Sequence, residues 1–219
     1  MWIRRFVLAL VIILTARSAE AVAEISETCA VQTGCFNGDP PGYPVTIDGT
    51  AGGSYRLTSN LIVPDENTDG ISVNSSSITI DLNGFEIVRS GCEAATTDCS
   101  PGSGTGSGVE RALSLIRGVS VRNESITGMG AYGVILGDQA DISGLRVRWN
   151  RIGDIDDGLS HVRANTAIEN TGFGLRLSDP SRGDAIYREN LVYGNVARTG
   201  NKRGDNSCRG LAGAITNCP

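Results

Sequence analysis

The chain has 219 residues, among them one histidine, one lysine and few aromatic residues, which make up 5% of it. A single histidine and the lack of any Cys-x-x-Cys pair exclude the common zinc arrangements, so no metal site is predicted. Long helices are excluded as well, because no extended stretch repeats apolar residues with a helical period of 3.6. Beyond the apolar run near the N-terminus, no stretch of the sequence is apolar over the length that a membrane span requires.

The first residues have the three parts of a secretory signal. Arg4 and Arg5 precede an apolar run over 6–16, and small-x-small cleavage sites follow within 19–23. We therefore predict a signal peptide over 1–23 and a secreted or periplasmic protein with no membrane span after its removal. The formal net charge of −5 argues against a nucleic-acid partner.

All six cysteines follow this signal. An even number of cysteines in an exported chain predicts disulfides rather than a metal cluster. The short spacings favour three local pairs, namely Cys29–Cys35, Cys92–Cys99 and Cys208–Cys218.

Most of the remaining chain consists of brief β-type runs separated by Gly, Asn or Asp. Apolar and polar residues alternate within each run, which predicts strands with one buried and one wet face. Runs of three to five residues are too short for a stable hairpin sheet, and they suit a solenoid of stacked turns. This interpretation requires a common buried column that contains Ile80, Val121, Ile135 and Val147.

A partial repeat of an apolar residue, Arg and then Asn within two positions supports the stacking. It occurs at 121–123, 147–150, 162–165 and 187–190. We expect each Asn to lie at a bend, where its side chain bonds the backbone. The interval between Arg148 and Arg163 is too short for a full turn. Either the turn near 160–163 is compressed, or the register differs there.

Three segments carry a resemblance to a known family. They are Thr68-Asp69-Gly70-Ile71, the run ITIDLNGF over 78–85 and the run VSVRNESITG over 119–128. The chain resembles small exported bacterial right-handed parallel β-helix repeat proteins of the pectate-lyase-like superfamily. The resemblance covers roughly 45–200 and implies an all-β, single-stranded right-handed parallel β-helix, which is a solenoid.

The segments that flank this region and one stretch inside it are expected to lie outside the regular turns. Residues 24–44 are interpreted as an N-terminal cap, and residues 201–219 as a C-terminal cap or tail. Residues 89–108 contain a pair of cysteines and a Gly-Ser-rich run. We predict that they form a loop insertion, stapled by a disulfide at its base and flexible at its end.

Acidic residues are weak candidates for catalysis. Asp154, Asp156 and Asp157 form one group, and Asn67-Thr68-Asp69-Gly70 forms another. Polygalacturonase-type glycosidases of this fold use paired aspartates, but their two groups lie about one turn apart, and their Gly-His-Gly is missing here. Turn formation by Asp before Gly is the simpler interpretation. His161 is interpreted as a structural residue.

Arginines provide the other candidate surface. If the turns stack, an outer face carries arginines that can bind carboxylates of an acidic polymer. Trp149 either stacks on a sugar ring or fills a corner of the core. A solvated face of Arg–Asp pairs is the alternative, and Arg148 is a weak candidate for the base of a lyase. The predicted binding residues are Arg122, Arg146, Arg148, Trp149, Arg163 and Arg188.

The sequence thus favours an exported protein that binds an extended polysaccharide or cell-surface polymer along one outer face. One alternative is a polysaccharide lyase or hydrolase, and another is a structural or adhesive surface protein. No cofactor is predicted for binding alone, whereas a lyase of this family would hold calcium with acidic residues. The oligomeric state and the polymer stay open.

Overall fold

The computed structural model describes residues 22–49, 53–93, 99, 103–156, 160–171, 175–177, 186–193, 207–209 and 215–217. Most of the predicted signal, Asp157 and Cys218 lie outside these residues. Across the described ranges, no helix has the length and apolar character required to cross a bilayer.

The described chain is all-β apart from one π-helical turn at Cys29–Thr33. The described residues contain nineteen strands, one before this turn and eighteen after it, and most have only three to five residues. The first ten are β1 Ala23–Ile25, β2 Val45–Ile47, β3 Gly53–Leu57, β4 Leu61–Val63, β5 Ile71–Val73, β6 Ile78–Asp81, β7 Ile87–Arg89, β8 Val109–Arg111, β9 Ser120–Thr127 and β10 Tyr132–Leu136. The others are β11 Asp141–Arg148, β12 Ile152–Asp156, β13 His161–Arg163, β14 Thr166–Ile168, β15 Leu175–Leu177, β16 Ile186–Arg188, β17 Leu191–Tyr193, β18 Ser207–Arg209 and β19 Ile215–Asn217.

These strands are divided between two sheets, so the single solenoid predicted from the sequence is not confirmed by the strand pairings. A six-stranded sheet has the order β15-β12-β10-β8-β5-β2. A thirteen-stranded sheet contains the path β1-β3-β6-β9-β11-β14-β17-β18-β19, with four further strands beside it. Nearly all pairings are parallel, and β18 with β19 is the antiparallel one. An all-β, parallel architecture is therefore confirmed, and it is consistent with a β-helix-like fold.

The core is built from inward columns of β-branched and leucine side chains. In the six-stranded sheet, Val45, Ile71, Val109 and Val134 follow one another in register, and all four are fully buried. Burial of such side chains contributes about 1.5–3 kcal/mol each. The expected common column is correct for Ile80 and Val121, which are buried register partners in the thirteen-stranded sheet.

The other two members of that predicted column lie elsewhere. Val147 is buried in the same sheet but in a second column, in register with Ile126 and Ala167. Ile135 belongs to the six-stranded sheet and is only half-buried, between the fully buried Val134 and Leu136. An unbroken apolar run such as Val134-Ile135-Leu136 has no alternation, so the sequence does not indicate which residues face inward.

Left-handed residues followed by buried asparagines form the bends of the long sheet. Trp149, Ala164, Glu169 and Glu189 all have φ between 53° and 58°. Each directly precedes a buried asparagine, and these are Asn150, Asn165, Asn170 and Asn190. The asparagine side chains bond backbone groups of neighbouring turns, for example Met129 N–H to Asn150 Oδ1 at 2.8 Å. The predicted role of asparagine at bends is confirmed at Asn150, Asn165 and Asn190. Asn123 differs, because it is exposed and its side-chain amide donates to Asp81 Oδ1 at 3.0 Å, and Asn170 was not part of the predicted repeat.

Two of the three predicted disulfides are confirmed. Cys29–Cys35 closes the segment before β2, and Cys92–Cys99 closes a loop after β7. The pairing predicted for Cys208 with Cys218 falls outside the described residues. Local disulfides are compatible with a protein that resides outside the cytoplasm.

The end of the Gly-Ser-rich run differs from the flexible loop end predicted for it. Gly104, Gly106 and Gly108 are buried against neighbouring turns. A Cβ atom at Gly106 would overlap backbone atoms of Thr68, and one at Gly108 would meet Gly133 O at 2.6 Å. Backbone approaches this close require glycine. The run lacks apolar side chains but contributes backbone to the packed turns.

Candidate functional site

One outward column of the thirteen-stranded sheet is made almost entirely of charged residues. It runs in register across six successive pairings, from β1 to β16. Its members, in order, are Glu24, Arg56, Asp81, Arg122, Ser143, Arg163 and Arg188. The strands are about 4.8 Å apart, so neighbouring side chains in the column can interact directly.

The first part of this column alternates in sign and pairs internally. Arg56 Nη2 lies 2.8 Å from Glu24 Oε1, and Arg122 Nε lies 3.2 Å from Asp81 Oδ2. Because these arginine side chains are close to half exposed, such pairs contribute about 0–1 kcal/mol each. The predicted alternative of a solvated face with Arg–Asp pairs therefore describes this part of the column.

Beyond Asp81 the column contains arginine and serine. Arg163 reaches sideways to Asp141 in the adjacent column, with Nη2 to Oδ2 at 3.4 Å. Arg188 is exposed. Arg122, Arg163 and Arg188 thus share one outward column, as the repeat predicted, with Ser143 between the first two.

Arg148 does not belong to that column. It lies near the end of β11, in register with Thr127 and Ile168, whereas Arg163 on β13 pairs with the first half of β11. The repeat therefore marks two successive bends of the chain, and the short interval before Arg163 reflects a change of register. Arg146 is exposed on β11, in register with Ser125 and Thr166.

Trp149 is committed to contacts within the protein. The guanidinium carbon of Arg148 lies 4.0 Å from its ring centroid, and its Nε1–H donates to Glu169 Oε2 at 2.8 Å. Its ring also packs against the buried cluster that contains Cys92 and Cys99. Of the two interpretations of Trp149, these contacts favour the structural one.

The six-stranded sheet carries a carboxyl pair. Asp69 immediately precedes Gly70 and β5, and Glu110 lies in the middle of the neighbouring strand β8, in register with Ser72. Ser107 connects the two acids. Its backbone N–H donates to Asp69 Oδ1 at 2.7 Å, and its hydroxyl donates to Glu110 Oε2 at 2.8 Å.

Both acids of this pair hold protons more tightly than usual. Burial raises the pKa of Asp69, and hydrogen bonding to Ser107 opposes the shift. Burial also raises the pKa of Glu110, and the nearby charge of Asp69 raises it further. Two neighbouring carboxyls with raised pKa values have the properties of an acid–base pair.

The predicted aspartate groups are not brought together. Asp69 precedes β5, whereas Asp154 and Asp156 lie in β12, and β8 and β10 separate these strands in the sheet. Asp157 lies outside the described residues. His161 is exposed on β13, in register with Asp141, and no contact of its side chain connects it to the carboxyl pair.

Sequence reasoning missed Glu110, although a signal for it exists. Gly70, Gly108 and Gly133 each directly precede a buried residue of the six-stranded sheet, and these three buried residues are in register. Alignment of the three glycines places Glu110 one turn after Ser72, close to Asp69. The 38-residue separation of Asp69 and Ser107 concealed this relation, because it exceeds the other turns.

No group of three or more metal-ligating side chains occurs among the residues with a described position. Neither a protein-family model, nor a curated protein, nor a solved structure matches the chain. The site is therefore interpreted from its own geometry.

Proposed function

We propose that this protein is an exported right-handed parallel β-helix of the pectate-lyase-like type. In this proposal it binds an extended polysaccharide or cell-surface polymer along the outer face of the thirteen-stranded sheet. The chain alternates between the two sheets from β2 to β17, so the sheets would form walls of one coil. A right-handed coil is the expected hand, since crossovers between parallel strands are right-handed in about 98% of cases.

The observation that carries the binding proposal is the column shared by Arg122, Arg163 and Arg188. Guanidinium groups keep their charge and bind carboxylate or sulfate groups through two parallel hydrogen bonds. A column along the stack presents them in a row, as an extended polymer with repeated acidic groups requires. Exposed ion pairs such as Arg163–Asp141 are weak, so a ligand can replace the internal carboxylate.

A double substitution tests this surface. Serine already occupies the column at Ser143. Arg163→Ser with Arg188→Ser therefore removes two positive charges and introduces only a residue type that the column already contains. Binding to polygalacturonate, alginate and a heparin-like polymer is measured at low salt by calorimetry. We expect affinity to fall about tenfold, equivalent to about 1.4 kcal/mol.

The matched control removes the same charge elsewhere. Arg111→Ser with Arg117→Ser alters one arginine on β8 of the six-stranded sheet and one that pairs with Asp138, and neither belongs to the outward column. This variant is expected to keep nearly full affinity. An unmodified protein that binds none of the acidic polymers at low salt contradicts the binding function.

A hydrolase or lyase is the second candidate, and the Asp69–Glu110 pair favours it. A half-buried carboxyl group with a raised pKa can donate a proton to a glycosidic oxygen, as the general acid of a hydrolase does. New reducing ends, or the ultraviolet absorbance of an unsaturated sugar, would reveal turnover of acidic polymers with calcium present. Loss of that turnover in Asp69→Asn and Glu110→Gln, with polymer binding retained, is the expected pattern.

A further inference from the structure

Residues 103–108 are attached to the rest of the protein without any apolar side chain. The segment reads Ser-Gly-Thr-Gly-Ser-Gly, and its glycines pack backbone against backbone. Hydrophobic burial therefore cannot hold it in place. Its position depends on hydrogen bonds to the turns on either side.

On one side, these bonds come from residues 66–70. Gly106 N–H donates to Glu66 O at 2.9 Å, and Gly70 N–H donates to Ser107 O at 2.8 Å. The Asp69 carboxylate accepts the Ser107 N–H at 2.7 Å, the shortest of these contacts. A carboxylate acceptor makes a stronger hydrogen bond than a neutral one. Asp69 is thus a main attachment point of the segment.

Ser107 turns this attachment into a link between two acids. Its side chain is fully buried, and its hydroxyl donates to Glu110 on β8. Two ionised carboxylates in a half-buried position repel each other, whereas one retained proton converts the repulsion into a hydrogen bond. Ionised acids accept stronger hydrogen bonds from Ser107, but burial of two charges costs more than these bonds return. The closed segment therefore favours a pair that retains a proton.

Few other charges act on the pair. Arg111 follows Glu110 on β8 and favours its ionised form, and Glu66 is engaged by Arg89 at 3.3 Å. The strands on either side of β8 place Ser72 and Ile135 in register with Glu110, and neither titrates. Tyr132 begins β10 and accepts the Gly108 N–H through its backbone carbonyl. None of these groups replaces Asp69 as the partner of Glu110.

We propose that Asp69 and Glu110 form a proton-operated latch, which fastens residues 103–108 when the pair holds one proton and loosens them when both acids are ionised. The raised pKa values of both acids agree with this direction. Rising pH therefore releases the segment locally, while the apolar columns on both sides stay packed. The latch requires no ligand, and it is independent of polymer binding.

Hydrogen exchange of the whole protein tests the latch. Protection factors of peptides that cover 103–108, corrected for intrinsic exchange rates, are compared at about pH 5 and about pH 8. We expect protection to fall about tenfold at the higher pH, because opening of the segment relieves the cost of burying the ionised pair. Peptides from β9 serve as the internal reference and are expected to show no such change.

Two variants distinguish a titrating latch from ordinary packing. Glu110→Gln keeps an acceptor for the Ser107 hydroxyl and removes the charge, so protection is expected to stay high at both pH values. Asp81→Asn alters a carboxylate on the other sheet and is expected to keep the pH response. Equal protection of the unmodified protein at both pH values overturns the latch. So does loss of protection at both pH values in Glu110→Gln.

Discussion

The backbone N–H of Asn165 donates to the side-chain oxygen of Asn190 at 3.0 Å, 25 residues further along the chain. Asn165 itself accepts the N–H of Leu145 at 2.9 Å, 20 residues earlier. Asn165 thus satisfies a buried donor of the preceding turn and has its own donor satisfied by the following one. A second bend of the same sheet repeats the arrangement with Asn150 and Asn170.

We expect Asn165→Ala to lower the free energy of unfolding by about 3 kcal/mol. The substitution leaves the Leu145 N–H and the Ile142 carbonyl without their side-chain partner, and each unsatisfied buried group costs about 1–3 kcal/mol. Denaturant titration measures the change. Asn37→Ala, in an exposed loop, is expected to change stability by less than about 0.5 kcal/mol. Equal effects of the two substitutions would contradict a stabilising role for the asparagine hydrogen bonds.

Gly108→Ala is expected to destabilise the protein by about 2 kcal/mol or more, because the new methyl group would overlap the Ile126 side chain and Gly133 O. Gly84→Ala is the control. Its φ is +82° and nothing lies near its Cβ position, so it introduces backbone strain of about 1 kcal/mol without overlap. Thermal unfolding of both variants compares the cost of steric overlap at Gly108 with the cost of backbone strain at Gly84. A milder effect at Gly108 than at Gly84 is the opposing result.

Replacing both Cys92 and Cys99 by Ala is expected to cost about 2.5 kcal/mol. The bond closes a loop with a sequence separation of 7, and a loop of that size restricts the unfolded chain by this amount. Denaturant unfolding followed by fluorescence reports it, since Trp149 packs against the pair. The same change at Cys29 and Cys35, separated by 6, is the matched comparison. If neither double substitution lowers the free energy of unfolding, loop closure by the disulfides is not a source of stability.

Stability is expected to depend on pH through Asp69 and Glu110. Their pKa values lie above the ordinary 3.8 and 4.5 in the folded protein. Folding therefore favours bound protons, and this contribution is complete below the ordinary values. It is lost as pH rises through the raised folded values.

A double variant, Asp69→Asn with Glu110→Gln, removes that dependence. Near pH 7 we expect it to equal or exceed the unmodified protein in stability, because it no longer places two charges in a half-buried position. Near pH 4 the difference is expected to shrink. Urea titrations at both pH values measure it. If the variant loses stability relative to the unmodified protein between pH 4 and pH 7, the result contradicts the upward direction of the two pKa shifts.

Strand type and parallel pairing could be read from the sequence, because alternation and short runs report directly on burial and length. Ile80 and Val121 lie in one column for this reason. Ile135 was misplaced, since Val134-Ile135-Leu136 has no alternation to show which residues face inward. Periodicity within single strands also contains no information on how they divide between two sheets.

The functional residues were harder to predict. Arg122, Arg163 and Arg188 share a column because Arg recurs at corresponding strand positions. Arg148 was misplaced, because Arg-Trp-Asn and Arg-Ala-Asn mark different bends. Glu110 has no neighbour in sequence that indicates chemistry. Only the alignment of Gly70, Gly108 and Gly133 relates it to Asp69, and Ser107 connects the two acids in the fold.

The asparagine bonds have a direction along the chain. The Leu145 N–H is satisfied by Asn165, 20 positions later, and the Asn165 N–H is satisfied by Asn190, 25 positions later. A chain that emerges from a ribosome or a secretion pore with its N-terminus first therefore cannot complete one layer before the next has arrived. We therefore expect the hydrogen bonds of each bend to be completed one layer behind the growing end of the chain.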